Sequence, residues 1–112
     1  MKIIIESIAL NEIKAMAQAT FGNLVKAVVD VERELVAIDA ELHSDLEALL
    51  LKDGSKQKNL WGINLYPEIQ GTDFIEFDSM INMRPSCGNR SRGIENEEMR
   101  KKIIEIVVKK IK

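Results

Sequence analysis

Two short stretches concentrate the residues whose types and spacing could do chemistry. The first, INMRPSCGNRSRGIENEE (81–98), carries Arg84, Arg90 and Arg92 with no acid between Arg84 and Arg92. Guanidinium forks suit phosphate or carboxylate oxygens bidentately, and Gly88 and Gly93 would let backbone amides approach an anion closely. Asn82, Asn89 and the upstream Asn64 are the polar helpers of such a site. The second stretch, VAIDAELHSD (36–45), sets Asp39, Glu41 and the only histidine, His43, at alternate positions. On a strand reaching His43 they would line one face in steps of about 6.6 Å, twice the strand rise. Two carboxylates and an imidazole make a divalent-metal or general acid–base grouping. A helix beginning just after His43 would disfavour imidazolium and keep the ring available as base or ligand.

Each stretch also has a plainer reading. Side chains two apart on a flat strand seldom converge on one ion without a third element. Asp30, Glu32, Glu34, Asp45 and Glu47 make the neighbourhood of His43 acidic in any case, so it also fits a solvated strand end. In the arginine stretch, named motifs fail. Gly88 and Gly93 have the glycine spacing of a nucleotide-binding P-loop, but Ile94 and Glu95 stand where that loop needs Lys and Ser/Thr. Arg92 is fifth after Cys87, whereas a cysteine-phosphatase loop places its arginine sixth. Glu95, Glu97 and Glu98 complement the dipole of the helix that follows and would repel an anion there. They could instead pair with Arg90 and Arg92 and fix the loop. Cys87 could act as a nucleophile only with a base beside it, and His43 is the sole imidazole.

The elements that must position these residues follow from periodicity. KIIIE (2–6) reads as a short buried strand. From Asn11 as N-cap, Ile13, Met16, Ala17 and Phe21 form a helical stripe that Gly22 stops. The valine-rich run 24–39 reads as two strands around a turn near Glu32–Glu34. Ser44 and Glu47 have capping-box spacing, which predicts a helix from about there to Asp53 with Gly54 as its stop. Trp61, Ile63 and Leu65 alternate with Gly62, Asn64 and Tyr66 before Pro67; Trp61 is expected in the core, with Asn64 and Tyr66 on the rim. In 74–84, Ile75, Phe77, Ile81 and Met83 alternate with Glu76, Asp78, Asn82 and Arg84, predicting a second strand. Asn96 caps a last helix whose buried stripe is Met99, Ile103, Val107 and Ile111, with Glu98–Lys102 and Glu105–Lys109 as surface pairs. The order β-α-β-β-α-β-β-α predicts an α+β fold, a mainly antiparallel sheet of about five strands with three helices packed on one side.

The bulk numbers bound the function. The chain has 112 residues, 46% hydrophobic and 30% charged, which is the make-up of one globular α+β domain spanning 1–112. With 16 basic and 18 acidic residues its net charge is −2, so it is not a generally basic nucleic-acid coat. No apolar run reaches membrane-spanning length, and MKIIIESIAL lacks the features of a signal peptide. One cysteine cannot form an internal disulfide, which fits the cytoplasm. Abundant isoleucine, lysine and glutamate with few aromatics hint at a thermophilic source. Those few aromatics also argue against a base-stacking RNA-binding sheet.

The segments ELHSD, LWGINLYP and INMRPSCGNRS together resemble a family of uncharacterised prokaryotic proteins, a domain of unknown function, over residues 24–112. The resemblance implies a shared fold and supplies no activity, cofactor or catalytic residue. It also implies glycines at the positions of Asp39 and Ala40, so the strand end before ELH is expected to be shaped differently here. Three functions stay open. The first is a binding module for an anionic small molecule or nucleic-acid phosphate through Arg84, Arg90 and Arg92. The second is a hydrolase with His43 as base or metal ligand beside Asp39 and Glu41. The third is an interaction module acting as a homo-oligomer through sheet edges or the isoleucine-rich last helix. No cofactor is indicated.

Overall fold

The valine-rich run folds back on itself as expected. In the computed structural model, which describes residues 1–112, it forms β2 (Val25–Asp30) and β3 (Leu35–Ile38), paired antiparallel. No Asn-Gly is needed because Asp30 makes the turn with its side chain. Its Oδ1 accepts from the backbone N–H groups of Glu32 and Arg33 at 3.0 and 2.9 Å, and Glu34 takes a left-handed φ of 55°. Around this hairpin lie β1 (Lys2–Ile4), α1 (Leu10–Ala19), α2 (His43–Lys52), β4 (Leu60–Leu65), β5 (Ile75–Glu76) and α3 (Glu97–Lys110). The five strands form one antiparallel sheet in the order β1-β3-β2-β4-β5, so the expected element order and α+β class hold. No helix is long and apolar enough to cross a membrane.

The helices do not share one side of the sheet. Ala27, Val29, Val36, Ile38 and Ile63 meet Ile13 and Ala17 of α1 and Ile103 and Val107 of α3. On the opposite face Val28, Leu35, Ala37 and Leu60 meet Leu46 and Leu50 of α2. The cause is in the strands themselves. β3 and β4 are buried at every position, whatever the parity, so both faces need cover. Removing Leu46 or Leu50 from that second layer would cost about 2–5 kcal/mol.

Four local expectations are corrected. The capping box does not form: α2 starts at His43, its N-cap is Leu42 and no side chain caps it. The helix starts at His43, one residue before Ser44, and the His43 ring reaches the Ile63 carbonyl of β4. α1 likewise begins at Leu10, with Ala9 and not Asn11 at the N-cap. Segment 74–84 is a strand only at Ile75–Glu76, after which it turns into a 3₁₀ turn at Met80–Asn82. The pairs Glu98–Lys102 and Glu105–Lys109 give way to Glu98–Lys101 and Glu34–Lys109. α3 otherwise follows its sequence, with Asn96 Oδ1 accepting from the Met99 N–H at 3.0 Å and Ile103 and Val107 buried.

Candidate functional site

β5 covers only the end of β4, pairing Glu76 with Asn64 and Ile75 with Leu65. That would leave the Leu60 carbonyl and both polar backbone groups of Gly62 unpaired on the outer edge, a costly arrangement in a buried strand. Segment 78–95 supplies the missing partners with side chains. Asn82 faces Gly62 as another strand residue would: its Oδ1 accepts from the Gly62 N–H at 2.8 Å and its Nδ2 donates to the Gly62 carbonyl at 2.9 Å. Gly62 permits this approach, because a Cβ there would lie 2.6 Å from Cβ and Oγ of Ser79. Arg84 donates from Nε to the Ile81 carbonyl at 3.1 Å, from one terminal nitrogen to the Gln57 carbonyl at 3.0 Å, and from the other to the Leu60 carbonyl. Its guanidinium stacks 4.5 Å over the Trp61 ring. Asn89 fastens the loop to itself, donating to the carbonyls of Asn82 and Gly93 at 2.7 and 2.8 Å and accepting from the Glu95 N–H at 2.9 Å.

A second polar group lies at the end of the α2 face. Lys26, Asn64 and Glu76 are lateral neighbours across β2, β4 and β5. Glu76 Oε1 accepts from Asn64 Nδ2 at 2.9 Å and from the Tyr66 hydroxyl at 3.0 Å. Asn64 is not on the rim as expected: it is 6% exposed, and its Oδ1 is buried without a donor. Arg92 pairs with Asp78, Nε to Oδ1 at 2.6 Å. His43 Nε2 lies 2.8 Å from the Ile63 carbonyl, so Nε2 carries the proton and Nδ1 the lone pair. Burial above all, with Lys26 and Arg92 nearby, holds the His43 pKa below its ordinary value against the opposing pull of the Ile63 carbonyl and Asp78. The ring is therefore neutral at pH 7.

The expected strand carrying Asp39, Glu41 and His43 ends at Ile38. Asp39 turns the chain with a φ of 75°, Glu41 is exposed and His43 points under the sheet. No group of three His, Cys, Asp or Glu side chains is placed to hold a metal ion. The arginines separate as well. Arg92 is spent on Asp78. Arg90 is exposed, and its backbone N–H, with that of Ser91, donates to Glu95 Oε2 at 2.6 and 3.0 Å. Those two amides hold the Glu95 carboxyl below its usual pKa. A carboxylate of the chain itself thus occupies the amide pair that an external anion would use.

What remains open is a groove of about 470 Å³ between α2 and the Arg84 loop, framed by Glu47, Gln57, Lys58, Met80, Met83 and Arg84. Cys87 also borders it, and His43, Arg90 and Arg92 do not. A guanidinium has five N–H groups, and Arg84 uses three on carbonyls, leaving one on each terminal nitrogen. Burial lowers the Arg84 pKa, opposed chiefly by the nearby Glu47 carboxylate. Glu47 Oε2 is buried without a donor. Sequence reasoning passed over Glu47 and Lys58 as site residues. A signal for Glu47 existed: its neighbours in α2, His43, Leu46 and Leu50, are the buried stripe, and a glutamate at 47 falls on that stripe's border.

The fold and the groove define a small antiparallel α+β domain whose sheet edge is closed by side-chain amides and a guanidinium. The chain belongs to the family described as a protein of unknown function (DUF5674), whose model matches residues 2–110. That span takes in β1 and α1, ahead of the segments that carry the resemblance. No curated protein and no solved structure matches the chain.

Proposed function

We propose that the protein is a cytoplasmic binding module for an anionic small ligand, a nucleotide or phosphorylated metabolite, held in the groove between α2 and the Arg84 loop. One observation carries the reading: Arg84 is pinned by three carbonyls and the Trp61 ring yet keeps an N–H on each terminal nitrogen at a groove of about 470 Å³. A pre-positioned guanidinium loses little entropy when an oxygen anion arrives. Lys58 on the same groove adds a second cation. The exposed thiol of Cys87 suits a reducing compartment. A short nucleic-acid phosphate stretch would meet the same two cations. Arg84 is too deeply built into the β4 edge to be the test variant, so Lys58→Glu is used. Titration with inorganic phosphate and the four ribonucleoside triphosphates should raise the melting temperature of the wild type and do so weakly in Lys58→Glu. Failure of every anion to shift the wild type would sink the reading.

Self-association is a second reading, favoured by the outer face of α3. Ile104 and Val108 are 38% and 65% exposed there and border a groove of about 570 Å³ with Ile69 and Leu10. Light scattering decides it: a dimer that Val108→Lys converts to monomer supports the reading, and a wild-type monomer at every concentration removes it.

A further inference from the structure

Half of the sulfur atoms in the chain, those of Met80, Met83 and Cys87, fall between residues 80 and 87. All three residues border the groove of about 470 Å³ between α2 and the Arg84 loop. Burial does not account for them. Methionine is ordinarily a core residue, and Met16 and Met99 do pack against the main core. Met80 and Met83 are instead 63% and 43% exposed, and Cys87 is exposed as well. The local fold presents them together. Met80 opens a 3₁₀ turn and Met83 follows it, its N–H donating to the Met80 carbonyl at 3.1 Å. Residues three apart on such a turn eclipse one another, so both thioether side chains leave on one side. A second 3₁₀ turn, Pro85–Cys87, returns the thiol to the same groove, with the Cys87 N–H on the Arg84 carbonyl at 2.9 Å.

We propose that Met80, Met83 and Cys87 form a site for a soft monovalent metal ion, Cu(I), a reading independent of the anion site. Two thioethers and a thiolate are soft donors, which select Cu(I) over the hard ions that take oxygen ligands. Charge selects the same ion. The thiol proton goes to solvent, the thiolate bonds to the metal and the thioethers donate lone pairs. The thiolate thus cancels the single charge of Cu(I), and the filled site is neutral. A divalent ion would keep a net positive charge beside Arg84 and Lys58, which border the same groove. No electron moves in this step, because copper enters and stays as Cu(I).

Titration of the reduced protein with Cu(I) against the chromogenic chelator bicinchoninate tests the assignment, alongside Met80→Leu/Met83→Leu and Cys87→Ser. Leucine keeps the volume and apolar character of methionine, so the double variant should melt with the wild type. The wild type should take up one Cu(I) per chain, with three sulfur neighbours by X-ray absorption at the copper edge. The double variant should lose at least roughly tenfold in affinity, since even a residue that only orients a ligand is worth that much. Cys87→Ser should lose no less. Lys58→Glu, which weakens an anion, should hold Cu(I) as tightly as the wild type. Equal affinity in the wild type and the double variant would overturn the proposal, because the thiol would then be acting alone. So would half an ion per chain with Cys87 bridging two chains, or no uptake in competition with the chelator. Phosphate binding is read separately, so the anion reading stands or falls on its own titration.

Discussion

Asn82 shows how a residue that looks like a ligand contact can be part of the scaffold. Its amide bonds both backbone groups of Gly62 and also donates to the Arg92 carbonyl at 3.0 Å, and the residue is fully buried. Asn82→Ala strands those groups, and at about 1–3 kcal/mol for each unmet buried group the variant should lose roughly 2–4 kcal/mol in urea unfolding. A loss below about 0.5 kcal/mol would mean that water replaces the amide easily. Asp39 makes the opposite case. Its φ of 75° belongs to the region glycine occupies freely. Asp39→Gly should raise stability by up to about 1 kcal/mol, the left-handed strain relieved less the added freedom of the unfolded chain. A clear drop in the unfolding midpoint would show that the aspartate side chain itself stabilises the turn.

Between elements, the decisive contact is β4 against the 3₁₀ turn at 80–82. The turn can ride directly on the strand because Gly62 has no side chain where Ser79 sits. Gly62→Ala puts a methyl 2.6 Å from Ser79 Cβ, and overpacking of this kind costs about 1–3 kcal/mol. The double variant Gly62→Ala/Ser79→Gly should recover most of the loss, read as melting temperature. Independent, additive effects would place the strain elsewhere. The same contact explains why the alternation of 74–84 does not become a strand. Beyond Glu76 the chain leaves the sheet plane to cross over Gly62, and a side-chain amide takes up the pairing that a longer β5 would have made.

Across the whole molecule, α2 and the sheet are joined through His43, and this coupling should be visible in pH dependence. The folded state holds His43 neutral, with a pKa below its ordinary 6.5. As pH falls the unfolded chain protonates first, so stability from this group is complete above about pH 6.5. It is lost as the pH drops from there toward the lowered folded value. Urea midpoints measured from pH 7.5 to 5 should decline more steeply in the wild type than in His43→Gln, whose amide can still donate to Ile63. Parallel slopes would show that His43 protonates as easily in the fold as outside it.

The sequence by itself determined the element order, the β2–β3 hairpin, the stop at Gly54 and the Asn96 cap. Each rests on a local pattern of apolar spacing or turn chemistry that acts over a few residues. It also marked 81–93 as unusual without revealing that Asn82, Asn89 and most of Arg84 serve the backbone. Tertiary structure decided what local pattern cannot carry: helices on both faces of the sheet, the short β5, the separation of His43 from Arg84, and the pairing of Arg92 with Asp78. The two-faced packing follows from apolar burial on both sides of β3 and β4, and the other outcomes depend on which unpaired carbonyl, amide or charge lies within about 3 Å after folding. That distance joins residues such as Gly62 and Asn82, twenty positions apart, so spacing along the chain does not encode it.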